Sequence, residues 1–189
     1  MAYSAASFNQ MYNNSSGGCF GGGGDVLMYD NKIAKVKDIR KGDRLAYGAR
    51  VLCVTSFNFV NTIMYKDNEK IVKITPWHPV MKDEKWVFPI DEMLKTKKHS
   101  DITIHKTQVY NFVLDSVHLI KVNGITACTF GHNIKGPVIG HEFYGTYAVI
   151  NDFKKMSGWK SGYINIDEEV QYTDNKNNNK TNGYIEILF

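Results

Sequence analysis

Only three cysteines occur in this chain of 189 residues: Cys19, Cys53 and Cys128. So small and odd a set excludes a disulfide scaffold, and the spacing fits no zinc ribbon, so at least one free thiol is expected. Long apolar runs are missing too. None approaches the ~18 residues that a membrane-spanning helix needs, and the opening residues lack the basic start and apolar centre of a signal peptide. There is no aromatic-interleaved basic stripe and no nucleic-acid motif, which argues against a nucleic-acid partner despite a formal charge of +4. Charge is absent from residues 1–18; residues 19–141 carry 18 Lys/Arg against 12 Asp/Glu, and residues 142–189 carry 5 against 7. Lysines dispersed in this way read first as a solvated surface and only second as a polyanion site.

What is present is a chain that is 43% hydrophobic and 22% charged, enough for one domain with a core and a small appendage. Residues 1–18 end in Asn13-Asn14-Ser15-Ser16-Gly17-Gly18, a linker composition, and read as a passenger on a segment excised from a larger precursor. After Cys19, Val26 to Tyr29 and Ile33 to Val36 form a hairpin about Asp30-Asn31, and Lys41-Gly42-Asp43 marks a turn into another strand. Arg50–Phe57, Asn61–Tyr65 and Glu69–Thr75 are rich in Val, Ile, Thr and aromatics and predict three strands. Ile90–Lys98 predicts a short amphipathic helix, Ile102–Ile104 and Val109–Leu114 two more strands, and Asn123-Gly124 a tight hairpin between apolar arms. From about Glu142 the character changes. Phe143–Ile150 is apolar, Lys154–Gly162 is a Gly/Ser/Lys loop, Thr173–Asn182 is an Asn-rich loop, and Gly183–Phe189 is a strand pattern expected to pack within the chain. The fold class is all-β.

The candidate chemistry starts at Gly18-Cys19-Phe20. A thiol directly behind a residue without a side chain can reach back to the carbonyl of the preceding peptide bond, although a lone cysteine is more often a small buried residue. Downstream, Thr75-Pro76-Trp77-His78-Pro79 sets a hydroxyl and an imidazole three residues apart across a turn, where they can serve a scissile carbonyl and amide nitrogen. Then come Val109-Tyr110-Asn111-Phe112-Val113-Leu114-Asp115, His118 and Val122-Asn123-Gly124-Ile125.

In this order, Cys first, Thr-x-x-His in the middle and the Val-Tyr-Asn segment last, the motifs resemble the Hint superfamily shared by inteins and Hedgehog autoprocessing domains. Cys19-Phe20, Lys41-Gly42-Asp43, Thr75-Pro76-Trp77-His78-Pro79, Val109–Leu114, Thr129-Phe130-Gly131-His132 and His141-Glu142-Phe143-Tyr144-Gly145 look like its Vint branch, in which the Hint module accompanies a von Willebrand factor A domain. The resemblance implies a horseshoe-like fold of short antiparallel strands over residues 19–141, with residues 142–189 an appendage in the place where Hedgehog-type proteins recognise their adduct. It implies single-turnover self-cleavage at Gly18-Cys19: Cys19 attacks the Gly18 carbonyl in an N-to-S acyl shift, His78 donates a proton to the departing amide nitrogen, and Thr75 holds the tetrahedral oxygen or strains the peptide. Water, a thiol or an unidentified adduct nucleophile then resolves the thioester. No cofactor is required, and zinc on Cys19 with a nearby histidine enters only as an inhibitor; His99, His105, His132 and His141 form no metal-site spacing.

Departures from the relatives narrow this reading. The positions of an intein's terminal His-Asn pair fall at Cys128 and Thr129, so splicing is disfavoured, with Asn133 the remaining candidate in poor register. The aspartate that activates a sterol in Hedgehog domains has no counterpart near Thr55 and Ser56, and the intein-type aspartate is Asn111. Cys128 reads equally as a relay thiol, a disulfide partner of Cys19 or a core residue, and His118 as an auxiliary site residue or a satisfied strand-edge histidine. Trp159 beside Lys154, Lys155 and Lys160 is a candidate surface for a sulfated glycan or lipid. The partners expected are a covalently linked upstream domain and the acceptor, on a monomer, in the secretory or extracellular setting that the resemblance implies. The rival readings are a latent Hint module that binds a ligand and an intein-like splicing element.

Overall fold

The computed structural model describes residues 18–168. The passenger before Gly18, the Asn-rich tract and the C-terminal strand pattern at Gly183–Phe189 lie outside the described residues. The fold is all-β, in two sheets. The first has the order β11-β4-β5-β1-β8, with β4 also pairing β8; the second has the order β3-β2-β9-β10-β6-β7. In chain order the strands are β1 (Phe20–Gly21), β2 (Asp25–Leu27), β3 (Ile33–Lys35), β4 (Val51–Asp67), β5 (Lys70–Ile74), β6 (Val80–Lys82), β7 (Lys85–Val87), β8 (His105–Leu114), β9 (Leu119–Val122), β10 (Ile125–Cys128) and β11 (Tyr163–Asn165). Two short α-helices, α1 (Pro89–Leu94) and α2 (Tyr147–Phe153), and 3-10 turns at Val36–Asp38, His99–Asp101 and Ser157–Trp159 accompany the strands.

Several elements differ from the sequence-based expectation. The strands expected at Arg50–Phe57 and Asn61–Tyr65 fall in one 17-residue strand, β4, interrupted at Asn58-Phe59 by a bulge against β8 between Phe57 and Val60, with Phe59 at φ 55°. The helix stops at Leu94, Ile102–Ile104 is not a strand, and the turn at Gly42 leads only into isolated bridges at Arg44 and Leu45. The apolar run at 143–150 starts a helix, which Thr146 caps by accepting the Ala148 N–H. The hairpins at Asp30-Asn31 and Asn123-Gly124 do form. The second turns with both central residues at positive φ (47° and 78°), the conformation that Asn-Gly supplies at little steric cost.

Two cores result. The first lies between the sheets and includes Phe20, Leu45, Val54, Ile63, Tyr65, Ile74, Phe112, Leu114 and Ile120. The second gathers Cys19, Cys53, Phe57, Val109, Val113 and Phe130 against Phe143, Tyr144, Val149, Ile150, Phe153, Ile164 and Ile166. The strand period of two explains the division. Phe20 faces one core and Cys19 the other, and along β8 Tyr110, Phe112 and Leu114 alternate with Val109, Asn111 and Val113. Residues 143–166 thus supply half of the second core, and β11 extends the first sheet by pairing parallel to β4 at Val54–Ser56.

Candidate active site

β1 is the keystone of the candidate site. It is only two residues long and is wedged between β5 and β8, with Phe20 opposite both Ile74 and Tyr110. The Gly18-Cys19 peptide is therefore buried at the strand's entrance, between the exit of β5 and the middle of β8. The exit of β5 is a turn, with the His78 N–H donating to the Thr75 carbonyl oxygen at 3.2 Å and Pro76 at the second turn position, where a fixed φ near −65° suits it. The Thr75 N–H in turn donates to the Cys19 carbonyl oxygen at 3.0 Å, so the turn is bonded directly to the residue it serves.

Each polar atom of the Gly18-Cys19 bond is held by a buried side chain. The Cys19 N–H donates to Thr75 Oγ1 at 2.9 Å. The Gly18 carbonyl oxygen accepts a hydrogen bond from Asn111 Nδ2. Asn111 cannot readily turn its amide around, because Oδ1 accepts its neighbour's N–H, from Phe112, at 2.7 Å. Thr75 therefore lies on the nitrogen side of the bond, and the oxygen falls to Asn111. Sequence reasoning had registered Asn111 only as a missing aspartate. The usable signal was the alternation on β8, which puts Asn111 on the face of Val109 and Val113, the face of Cys19.

His78 is wholly buried, its ring 4.4 Å from that of Phe20 and pressed against Gly18. A Cβ on Gly18 would lie 2.6 Å from Nδ1 and closer still to two ring carbons, so this approach requires glycine. His78 Nε2 lies 2.8 Å from the Cys128 carbonyl oxygen. A carbonyl only accepts, so Nε2 carries the proton and the neutral ring presents a lone pair at Nδ1. Burial lowers the His78 pKa to about 4, against the opposing pull of the Cys128 and then the Cys19 main chain. The resting imidazole is thus neutral, and Nδ1 can donate only after the ring has taken up a proton.

The other expected residues fall at varying distances from this bond. Cys128 lines a small cleft beside Gly18, but its thiol is buried 3.9 Å from the Pro79 oxygen and burial pushes its pKa up to about 12. None of the three cysteines is in a disulfide, so Cys19 and Cys128 are not bridged. His118 lies outside the cleft, held by a turn with positive φ at Val117 and His118, and burial lowers its pKa. Asn133 is exposed, with its N–H on the Gly145 carbonyl. Lys154, Lys155 and Lys160 are exposed, Lys155 pairs with Asp152, and Trp159 packs half-buried on the second core. Among the described residues no cluster of three His, Cys, Asp or Glu side chains could hold a metal ion.

Sequence reasoning also passed over the cleft itself. Its lining includes Gly18, His78, Asn111, Thr129, His132 and His141, and Tyr144 and Ile139 help to close it. His132 Nδ1 accepts the Ile134 N–H at 3.0 Å, and His141 Nδ1 accepts the N–H groups of Phe143 and Tyr144 at 3.1 and 3.0 Å. Burial, then His118 and His141, lower the His132 pKa to about 4, and burial lowers that of His141.

A family model described as "Vint: Hint-domain" matches residues 18–182. No curated protein matches the chain. Among solved structures, a DnaB intein from Synechocystis sp. PCC 6803 is 18% identical with a TM-score of 0.44, over 59% of this chain and 98% of that one. A bacterial intein-like domain from Clostridium thermocellum is 16% identical with a TM-score of 0.46, over 59% and 98%. The gp41-1 intein is 14% identical with a TM-score of 0.44, over 60% and 100%.

Proposed function

The chain belongs to the Vint family of Hint domains, and on that premise we propose that it cuts its own backbone once, between Gly18 and Cys19, through a thioester. The observation that carries this reading is the double hold on one buried peptide bond: Thr75 on its N–H and Asn111 on its carbonyl oxygen, with a neutral imidazole against its Cα.

The steps follow from the protonation states. His78 Nδ1 takes the Cys19 thiol proton, and Sγ adds to the Gly18 carbonyl carbon. Negative charge develops on the Gly18 oxygen, where the Asn111 amide already donates, preorganised by its bond to Phe112 N–H. When the tetrahedral species collapses, the C–N bond breaks, the C–S bond remains, and the proton passes from His78 to the Cys19 nitrogen. An imidazolium with a pKa near 4 gives that proton up readily. Placing the thiol next to the bond in the same chain supplies the proximity that a free thiol lacks.

Intact mass spectrometry of a fusion with an N-terminal passenger, with and without dithiothreitol, tests the reading. Thiol should release the passenger from the parent and not from Cys19→Ala, and Asn111→Ala should slow release about 10²- to 10³-fold, the usual loss for one oxyanion donor. Release from Cys19→Ala, or an uncut parent at mildly alkaline pH with thiol, would sink it.

A further inference from the structure

The cleft beside Gly18 raises the question of what resolves the thioester. It has room for about one water molecule. Its lining is nonetheless polar and incompletely paired: Thr129 Oγ1 and His78 Nδ1 are fully buried atoms with no protein hydrogen-bond partner among the described residues. Thr129 is 2% exposed and His78 0%, so neither reaches bulk solvent. An unpartnered buried polar atom is costly, and two that share one cleft with a scissile carbonyl call for a small shared partner. His132 and His141 add the matching donors. Each gives its Nδ1 lone pair to backbone N–H groups, which leaves the proton of the neutral ring on Nε2.

From this lining we propose that the acceptor is water, seated in the cleft between Thr129, His132 and His78 and poised over the Gly18 carbonyl carbon. The inference rests on the self-cleavage reading above and names its second nucleophile. Once the first step has moved the thiol proton to the Cys19 amine, His78 Nδ1 is again a lone pair. It takes a proton from the water as the oxygen adds to the thioester carbon, while Asn111 holds the oxyanion. The C–S bond then breaks, the proton returns from His78 to the Cys19 thiolate, and the passenger leaves with a free carboxylate on Gly18. Thr129 and His132 act on the reacting water. Cys128, in the same cleft, keeps its thiol and serves through its carbonyl, which fixes the His78 tautomer.

The full chain, fused to a passenger and incubated in oxygen-18 water, tests this. The expected result is a passenger ending in a Gly18 carboxylate with one heavy oxygen and no adduct mass. Cleavage by water and by dithiothreitol is then compared in Thr129→Val, Thr129→Ser and His132→Asn. The ratio of hydrolysis to thiolysis should fall about tenfold in Thr129→Val and in His132→Asn, as for a lost hydrogen bond of about 1.4 kcal/mol, and recover in Thr129→Ser. A passenger carrying another group, an unchanged ratio in both variants, or acyl transfer to Cys128 that is lost in Cys128→Ala would each overturn the proposal. If dithiothreitol releases nothing from the parent, the self-cleavage reading fails and this proposal fails with it; thiolysis with an adduct-bearing passenger refutes the water alone.

Discussion

The first core, between the two sheets, is lined by aliphatic and aromatic side chains, and it meets the candidate site where Phe20 packs on the ring of His78; His99 and His105 are exposed. The second core is smaller, and the buried polar residues His78, Asn111, His118 and Thr129 lie on or beside it, with Cys19 within it. Hydrophobic burial stabilises both. In the second, buried polar groups give up water, and they hold their positions through specific bonds: Asn111 to Gly18 and Phe112, His78 to Cys128, His132 and His141 to backbone N–H groups. The contrast teaches that scaffold and chemistry are divided at β1, where Phe20 anchors one core and Cys19 enters the other.

The harshest way to break this division is at the join. Gly18→Ala puts a methyl group into the space of the His78 ring, and neither the buried ring nor the twice-bonded peptide has room to yield. Release of the passenger with dithiothreitol should fall at least ~10²-fold, the scale of an ångström-sized misplacement at a reacting centre, while the circular dichroism spectrum stays that of the parent. Cleavage of Gly18→Ala at the parental rate would show that the close approach of Gly18 and His78 is not used.

A matched pair of cavities separates the two cores next. Phe153→Ala in the second core should cost about 3–5 kcal/mol and Leu45→Ala in the first about 2–5 kcal/mol, both read by urea denaturation in the Cys19→Ala background so that cleavage does not intrude. Their effects on rate should part. Phe153 stacks edge-on against Phe130 at 5.2 Å, Phe130 lies 5.8 Å from Tyr144, and Tyr144 walls the cleft, so the cavity opens toward the reacting bond. Leu45 belongs to the other core, away from the lining of the cleft. Under conditions where both variants remain folded, cleavage should slow only in Phe153→Ala; equal slowing in Leu45→Ala would dissolve the distinction between scaffold and site.

The same division decides what the sequence made legible. The first core and its hairpins were readable because local signals specify them: β-rich runs, Asp30-Asn31 and Asn123-Gly124. So was the Thr75-Pro76-Trp77-His78 turn, whose two functional side chains are fixed by one local geometry. That Arg50–Phe57 and Asn61–Tyr65 run on as one strand was not legible, because the interruption at Asn58-Phe59 is a bulge only by virtue of its pairing with β8. Asn111 escaped for a related reason. Its partner is 93 residues away, and whether its amide meets Gly18 depends on the register of β8 against β1. Thr129-Phe130-Gly131-His132 was legible as a motif, but its closing round Gly18, and the packing of residues 143–166 on Cys19, are tertiary and no local pattern records them.

The mildest probe of the comparison is acid. For His78 the folded-state pKa lies near 4, below the ordinary histidine value of about 6.5. Between those values the unfolded chain binds a proton that the folded chain refuses, so stability rises with pH through this window. The His78 contribution is fully present above about pH 6.5 and is lost as pH falls toward 4; it is on the order of 3 kcal/mol. His132, His118 and His141 are depressed in the same direction, with Asp115 opposing at His118 and Glu142 at His141. The paired carboxylate of Glu92, held low by Lys82 and Lys95 beside the first core, acts in a lower window, below its ordinary value of 4.5. The melting temperature of the Cys19→Ala chain should therefore fall steadily between pH 6.5 and 4.5, and His132→Asn should flatten that fall, since it removes one refused proton and relieves its neighbours His78 and His118. A melting temperature constant over that range would mean that the second core admits solvent to its imidazoles and lacks the dry, low-dielectric character on which the role proposed for His78, a lone-pair base at rest and a proton donor once charged, depends.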